Sequence, residues 1–395
     1  RGKLSFRWFA FFIVQTLIFM HETGKISIDF FKECIMQDIP MSRWLSPLMA
    51  FCLSFVIMAT LAPTMGIQID RQIDFWLLWF GTMLLLALPV CYLEIALAKR
   101  SKTTALNALS SLTREADSSP KWRVVGWLAV VFIPFLAGNV LSTASNILVA
   151  QFAPSISGQI IFAGLAVAAL VLSFIPRQIL ILLMTLGVIA SIVLANMMGS
   201  TLQPWHWTSV EFKEWGNATV LALVASGLGL GLYWQNSVGA VQAQEGATKT
   251  VLPIWLAQLI AVVAFGFFSL QAQLPVLTWI FTGVMTSALF VQLAREQLAQ
   301  RQLMPVLQWV IIVVAIAVWA VPEVHNLFTL ILMLWGLLIC LIYAIFAGWI
   351  MKISHLRKSM NFSNELFYNL WRIAVRIVLP LSIIVAMIAV IGQCI

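Results

Sequence analysis

The sequence predicts an all-α polytopic membrane protein with about eleven transmembrane helices, and three observations carry that prediction. Hydrophobic residues make up 62% of the 395 residues and charged residues 10%, with a mean hydropathy of +0.98, too little polar surface to clothe a soluble globule. Apolar windows long enough to cross a bilayer recur near 44–66, 74–98, 123–150, 159–176, 178–198, 217–237, 251–271, 275–298, 303–321, 324–350 and 366–392. Basic residues also sort by side. With the segment before the first window placed in the cytoplasm, 21 of the Lys and Arg residues fall inside and only Arg71 and Lys213 outside. Lys and Arg accumulate in cytoplasmic segments, so the N-terminus is expected inside and the C-terminus outside.

Residues 1–43 form an extension of their own. "LSFRWFAFFIVQTLIFM" is apolar, but Arg7 sits inside it and a spanning helix here would move the basic start outside, so an interfacial helix is expected. No small-residue cleavage site follows "FMHETGK", which argues against a cleaved signal peptide. The net charge of +8 is a topology signal and not a nucleic-acid footprint, because no basic run interleaved with aromatics stands on a soluble domain. The cysteines Cys34, Cys52, Cys91, Cys340 and Cys394 lack C-x-x-C spacing, and the histidines are scattered, so neither a metal centre nor an enzyme is indicated. Arg372 and Arg376 lie one turn apart and suit snorkelling to headgroups. Glu94, near the inner end of its span, is expected to be capped locally or paired with Lys99 or Arg100.

Two spans carry a break at mid-membrane depth. The first contains "MATLAPTMG", where Pro63 removes an amide donor and disfavours helix at Ala62. The sixth contains "SGLGLGLYWQNS", with Gly227, Gly229 and Gly231 at alternate positions. Each feature alone also fits a simpler use, a kink for the proline and close helix packing for the glycines. Together they open two halves of five spans each, and an odd number gives the halves opposite orientation. That is the pattern of transporters built from inverted repeats, with solute and ions held at the broken helices. The predicted units are 1–43, a first five-helix repeat at 44–198, a second at 199–350, and the eleventh helix at 351–395.

Five stretches resemble the neurotransmitter:sodium symporter family, which has the leucine-transporter fold: "RWLSPLMAFCLSFVIMATLAP", "LPVCYLEIALAKR", "SGLGLG", "FTGVMTSALFVQLAREQL" and "NELFYNLWRIAVRIVLPLSII". They are similar to the family's first, second, sixth, eighth and eleventh spans, in order. The resemblance implies a solute site formed by backbone of Ala59, Thr60, Leu61 and Ala62 together with Ser226, Gly227, Gly229 and Gly231. Asn139 and Ser142 stand on the third span, which lacks the family's Tyr, with Ser145 one turn on. It also implies a sodium site from Val56 and Ala59 carbonyls and the hydroxyls of Thr282, Thr286 and Ser287, and no other cofactor. The threonine hydroxyls could equally bond their own helix. The sequence departs from the family in its first-span core, "IMATLAPTMGIQ", which lacks the Asn ligand and outer Arg, and in the short "SLQAQLPVL" where the family has a long outer lid.

The leading expectation is therefore a secondary transporter of an amino acid or similar zwitterion, ion-coupled, in the bacterial inner membrane, with the solute and the lipid bilayer as partners. A second class stays open: a transport-inactive subunit or scaffold that docks on a membrane-protein partner through the N-terminal helix. A polar cavity between spans one, three, six and eight favours the first class, and filling by Met58 and Met285 favours the second.

Overall fold

The computed structural model describes residues 44–65, 72–152, 156–198, 204–229, 231–232, 247–268, 275–351, 354–360, 362 and 364–393. The expected interfacial helix in residues 1–43 and most of the short connection before the eighth span lie outside the described residues.

The described residues are nearly all helical. The elements are α1 (Leu45–Thr64), α2 (Ile73–Ser101), α3 (Ala105–Glu115), α4 (Val124–Phe152), α5 (Gly158–Leu172), α6 (Arg177–Met198) and α7 (Phe212–Leu223). They continue with α8 (Thr248–Phe268), α9 (Val276–Gln300), α10 (Pro305–Ala317), α11 (His325–Ile350), α12 (Ser354–Met360) and α13 (Glu365–Gly392). Among the described residues, eight helices are long and apolar enough to cross a membrane. The shorter apolar helices α5 and α10 stand where the fourth and ninth spans were expected, and α7 with its continuation stands for the sixth. In lipid a spanning segment must satisfy its own peptide groups, and helix is the local solution for these apolar runs.

Contacts at the helix ends sort as alternating spans require. Gln72 bridges to His206, and Gln393 donates to the Lys213 carbonyl and to Asn217, at one end of the bundle. At the other end Arg100 pairs with Glu115, Arg177 with Glu296, and Arg301 reaches Asn107 and Ser110. The amphipathic α3 lies at this basic end, burying Leu106, Leu109 and Leu112.

The bundle has an inner layer and a lipid-facing layer. In α1 every residue from Cys52 to Ala62 is buried, and α4 is buried from Phe132 to Ser142. By contrast α6 presents Leu182, Leu186 and Val193, and α13 presents Leu381, Ile384 and Ile388, to the outside. Apolar residues facing lipid cost nothing, so such faces need no protein cover.

Among the described residues three helices contain single π-type turns, at Met83–Ala87 in α2, Phe346–Ile350 in α11 and Ala374–Val378 in α13. A π-type turn breaks the regular i to i−4 ladder, and neighbouring side chains bond the backbone there. Trp255 Nε1 donates to the Met83 carbonyl at 2.9 Å. Arg376 Nε donates to the Gly348 carbonyl at 2.7 Å while Trp349 Nε1 donates to the Arg376 carbonyl at 3.0 Å. Arg376 thus ties α13 to α11, which corrects the expectation that it only snorkels.

Candidate functional site

The sixth span unwinds where its glycines stand. Its first half, α7, starts at a capping box in which Glu214 accepts from the Glu211 amide at 2.8 Å and Glu211 accepts in return. After Leu223 the helix gives way to turns across Val224–Gly229. Gly227, Gly229 and Gly231 have φ of 66°, 78° and 73°. Any L side chain pays about 1–2 kcal/mol for that left-handed conformation, which is why glycine occupies alternate positions.

Side chains from three other helices satisfy the exposed peptide groups of this break. The Gly229 amide donates to Glu94 Oε2 of α2 at 3.0 Å. Gln258 Nε2 of α8 donates to the Ser226 carbonyl at 3.0 Å, and Cys340 Sγ of α11 to the Leu228 carbonyl at 3.2 Å. A Cβ at Gly229 would stand 2.9 Å from Cys340 Sγ, so hydrogen is also needed there for space. Ser226 Oγ lies 3.8 Å from Met83 Sδ. Beside the break, Val90, Leu93, Glu94, Leu97, Gly229 and Tyr343 line a gap with room for about one water molecule. Glu94 therefore braces the unwound segment from another helix, a role that the local reading of that residue did not include. Arg100 is engaged by Glu115.

The first span behaves differently. It remains α-helical from Leu45 to Thr64, and the chain leaves the helix only at Met65. Of the break expected across Met58–Gly66, the part from Met58 to Thr64 stays helical, because one proline deletes one donor without forcing left-handed backbone; Gly66 lies outside the described residues. The amides of Ala59, Thr60, Leu61 and Ala62 are spent within the helix, and so is the Val56 carbonyl, which Thr60 faces one turn on. Thr60 Oγ1 donates to the Ile57 carbonyl at 2.8 Å. The Ala59 carbonyl is the exception: its helical partner would be Pro63, which has no N–H. Ala59 is also 7% exposed between Met58 and Thr60 at 0% and 1%.

On α9 the candidate hydroxyls are buried and already bonded. Thr282 Oγ1 donates to the Thr278 carbonyl at 2.6 Å and Thr286 Oγ1 to Thr282 at 2.8 Å. Thr282 faces α6, where its Oγ1 fills the place of a Cβ at Gly187. Ser287 Oγ crosses to the Ala137 carbonyl of α4 at 3.3 Å. Each hydroxyl oxygen keeps lone pairs, so donation does not bar it from accepting or ligating. Two residues beyond Ala137, Asn139 is buried with neither Oδ1 nor Nδ2 bonded. Ser142 Oγ and His325 Nδ1 are 3.3 Å apart, and Ser145 Oγ donates to the Gly158 carbonyl at 3.0 Å.

The structure thus joins Ser226, Gly227 and Gly229 into one buried element, and links Ser287 to the α4 level of Asn139. It does not bring the α1 amides into that element. Met58 and Met285 are both buried, as packing of the centre requires. Among the described residues no group of three or more His, Cys, Asp or Glu could hold a metal. The sequence alone did not assign Gln258, Cys340 or His325; the first two are lone polar residues in apolar runs and His325 opens its helix beside Glu323 and Asn326, and only the fold shows what each faces.

No family model and no curated protein matches the sequence. Among solved structures the chain is similar to MhsT, determined in complex with L-phenylalanine. The two share 15% identity over 89% of this chain and 99% of that one, with a TM-score of 0.57. At that identity the likeness establishes the fold: an all-α polytopic membrane architecture carried nearly end to end along the MhsT chain.

Proposed function

We propose that the chain is a secondary transporter of amino acids or similar small zwitterions, working from the buried break of the sixth span. The observation that carries this reading is the run of left-handed glycines with its peptide dipoles held in place by Glu94, Gln258 and Cys340. Irregular backbone at membrane depth is costly and is retained where it serves a solute or ion path. The similar fold of MhsT, bound to an amino acid, supports the solute class. In this reading Asn139 and Ser142 supply side-chain polarity, and the glycine break, Ser226 included, supplies backbone polarity. The Ala59 carbonyl with the hydroxyls of Thr282, Thr286 and Ser287 forms the cation site. Residues 44–198 and 199–350 act as opposed repeats, with the basic end of the bundle in the cytoplasm.

The test is uptake of labelled amino acids, L-phenylalanine included, into proteoliposomes under an imposed sodium gradient and, separately, a proton gradient. Accumulation that depends on one gradient and falls at least tenfold in Asn139→Leu supports the reading. Folded protein that neither accumulates nor exchanges any amino acid under either gradient contradicts it.

A specific observation favours the second reading, a transport-inactive scaffold. The continuous α1 and the sealed stretch Cys52–Ala62 leave little space at the centre, and the break is satisfied by its own protein. Silent proteoliposomes would favour it.

A further inference from the structure

At the basic end of the bundle, Arg295 of α9 packs against two adjoining aromatic rings, Phe174 and Trp309, whose centroids are 5.7 Å apart. Its guanidinium carbon is 4.7 Å from the centroid of Phe174, after α5, and 5.6 Å from that of Trp309 on α10. Cation–π packing of this kind backs the planar group on one side and leaves N–H donors free to bond elsewhere. Among the described residues no acceptor lies within hydrogen-bonding distance of those donors, and none of the guanidinium nitrogens is sealed from the surface. The adjacent Glu296 acts on Arg295 electrostatically but is paired with Arg177, so one carboxylate is shared by two guanidinium groups. The three charged groups together carry one net positive charge. Just beyond, Phe174, Ile179 and Val306 are 43%, 46% and 58% exposed, an apolar slope on the lipid-facing side of the bundle.

We propose that Arg295 is the headgroup site for an anionic phospholipid in the leaflet at the basic end of the bundle. The phosphodiester bonds to the N–H edge of the guanidinium, and the acyl chains lie along the apolar slope. Arginine suits this role because its fork presents paired donors to a phosphate, and the adjoining Phe174 and Trp309 rings back the fork before the lipid arrives. Free phosphate shares the headgroup chemistry, but the exposed apolar residues beside the guanidinium give a lipid further contact that an inorganic anion cannot use. The inference goes beyond the transport reading and does not depend on it.

The experiment uses the full chain in nanodiscs of phosphatidylcholine, titrated with phosphatidylglycerol, with the melting temperature as readout. The wild type should gain stability with phosphatidylglycerol and gain none from inorganic phosphate in pure phosphatidylcholine discs. Arg295→Gln and Arg295→Lys should both raise the half-saturating lipid fraction by about tenfold or more, since the Lys variant keeps the charge but loses the stacked fork. Arg301→Gln, at the same end with partners of its own, tests the diffuse surface potential, worth about fivefold per basic residue. The proposal is overturned if Arg295→Lys titrates like the wild type or if Arg301→Gln matches Arg295→Gln. It is also overturned if inorganic phosphate reproduces the gain, or if the wild type gains nothing from phosphatidylglycerol. The last two outcomes need no variant, so a poorly folding substitution leaves the test intact.

Discussion

The first and sixth spans carry the two expected interruptions, yet only the sixth unwinds in the described residues. In α1 a proline sits one residue before the helix end, costs one hydrogen bond, and frees the Ala59 carbonyl alone. In the sixth span three glycines adopt positive φ, and Glu94, Gln258 and Cys340 converge from three helices to bond the freed groups. The difference teaches that a helix-breaking residue only permits a break. What stabilises an unwound segment in a membrane protein is a set of polar side chains placed elsewhere in the chain to receive it.

That comparison can be broken by substitution. The largest effect is expected for Gly229→Val, which adds left-handed strain to a Cβ 2.9 Å from Cys340 Sγ and should cost about 3 kcal/mol or more, read as a large fall in melting temperature or loss of folded protein. Glu94→Ala should follow, because a buried amide left without its acceptor costs about 1–3 kcal/mol. Hydrogen exchange across Val224–Gly229 should then accelerate, and unchanged exchange would mean that Glu94 does not brace the break. Gln258→Leu removes a side-chain donor from the Ser226 carbonyl and is expected to cost about 1 kcal/mol in the same melting assay. The smallest effect has the opposite sign. Pro63→Ala returns a donor to the Ala59 carbonyl and should stabilise by about 1 kcal/mol, since the site is in the last turn of its helix. Should sodium stabilise the wild type, Pro63→Ala is also expected to blunt that response; an intact response would remove Ala59 from the cation site.

The spans and the sixth-span break were legible because they depend on local chemistry: apolar runs set the helices, and alternating glycines mark left-handed backbone. Glu94 shows where legibility ends. Its sequence neighbours Lys99 and Arg100 suggest a local pair, while its partner Gly229 is 135 residues away, a distance that only the packing of α2 against the break can close. Pro63 misled for a related reason, since a proline near a helix end and a proline in a true break look alike in sequence. The hydroxyls of Thr282 and Thr286 recur at helical spacing as expected, but spacing alone could not reveal that both return to their own helix and that Ser287 alone crosses to α4.

Asn139 offers the most direct test that this centre serves a solute. It is buried in α4 with both polar side-chain atoms unbonded, an arrangement that costs stability unless a ligand repays it. The measurement is the melting temperature of wild type and Asn139→Leu across a panel of amino acids. The account predicts that the variant melts higher than wild type without solute, and that a solute which stabilises the wild type by mass action no longer stabilises the variant. A variant that melts lower, or that keeps the full solute response, would contradict it.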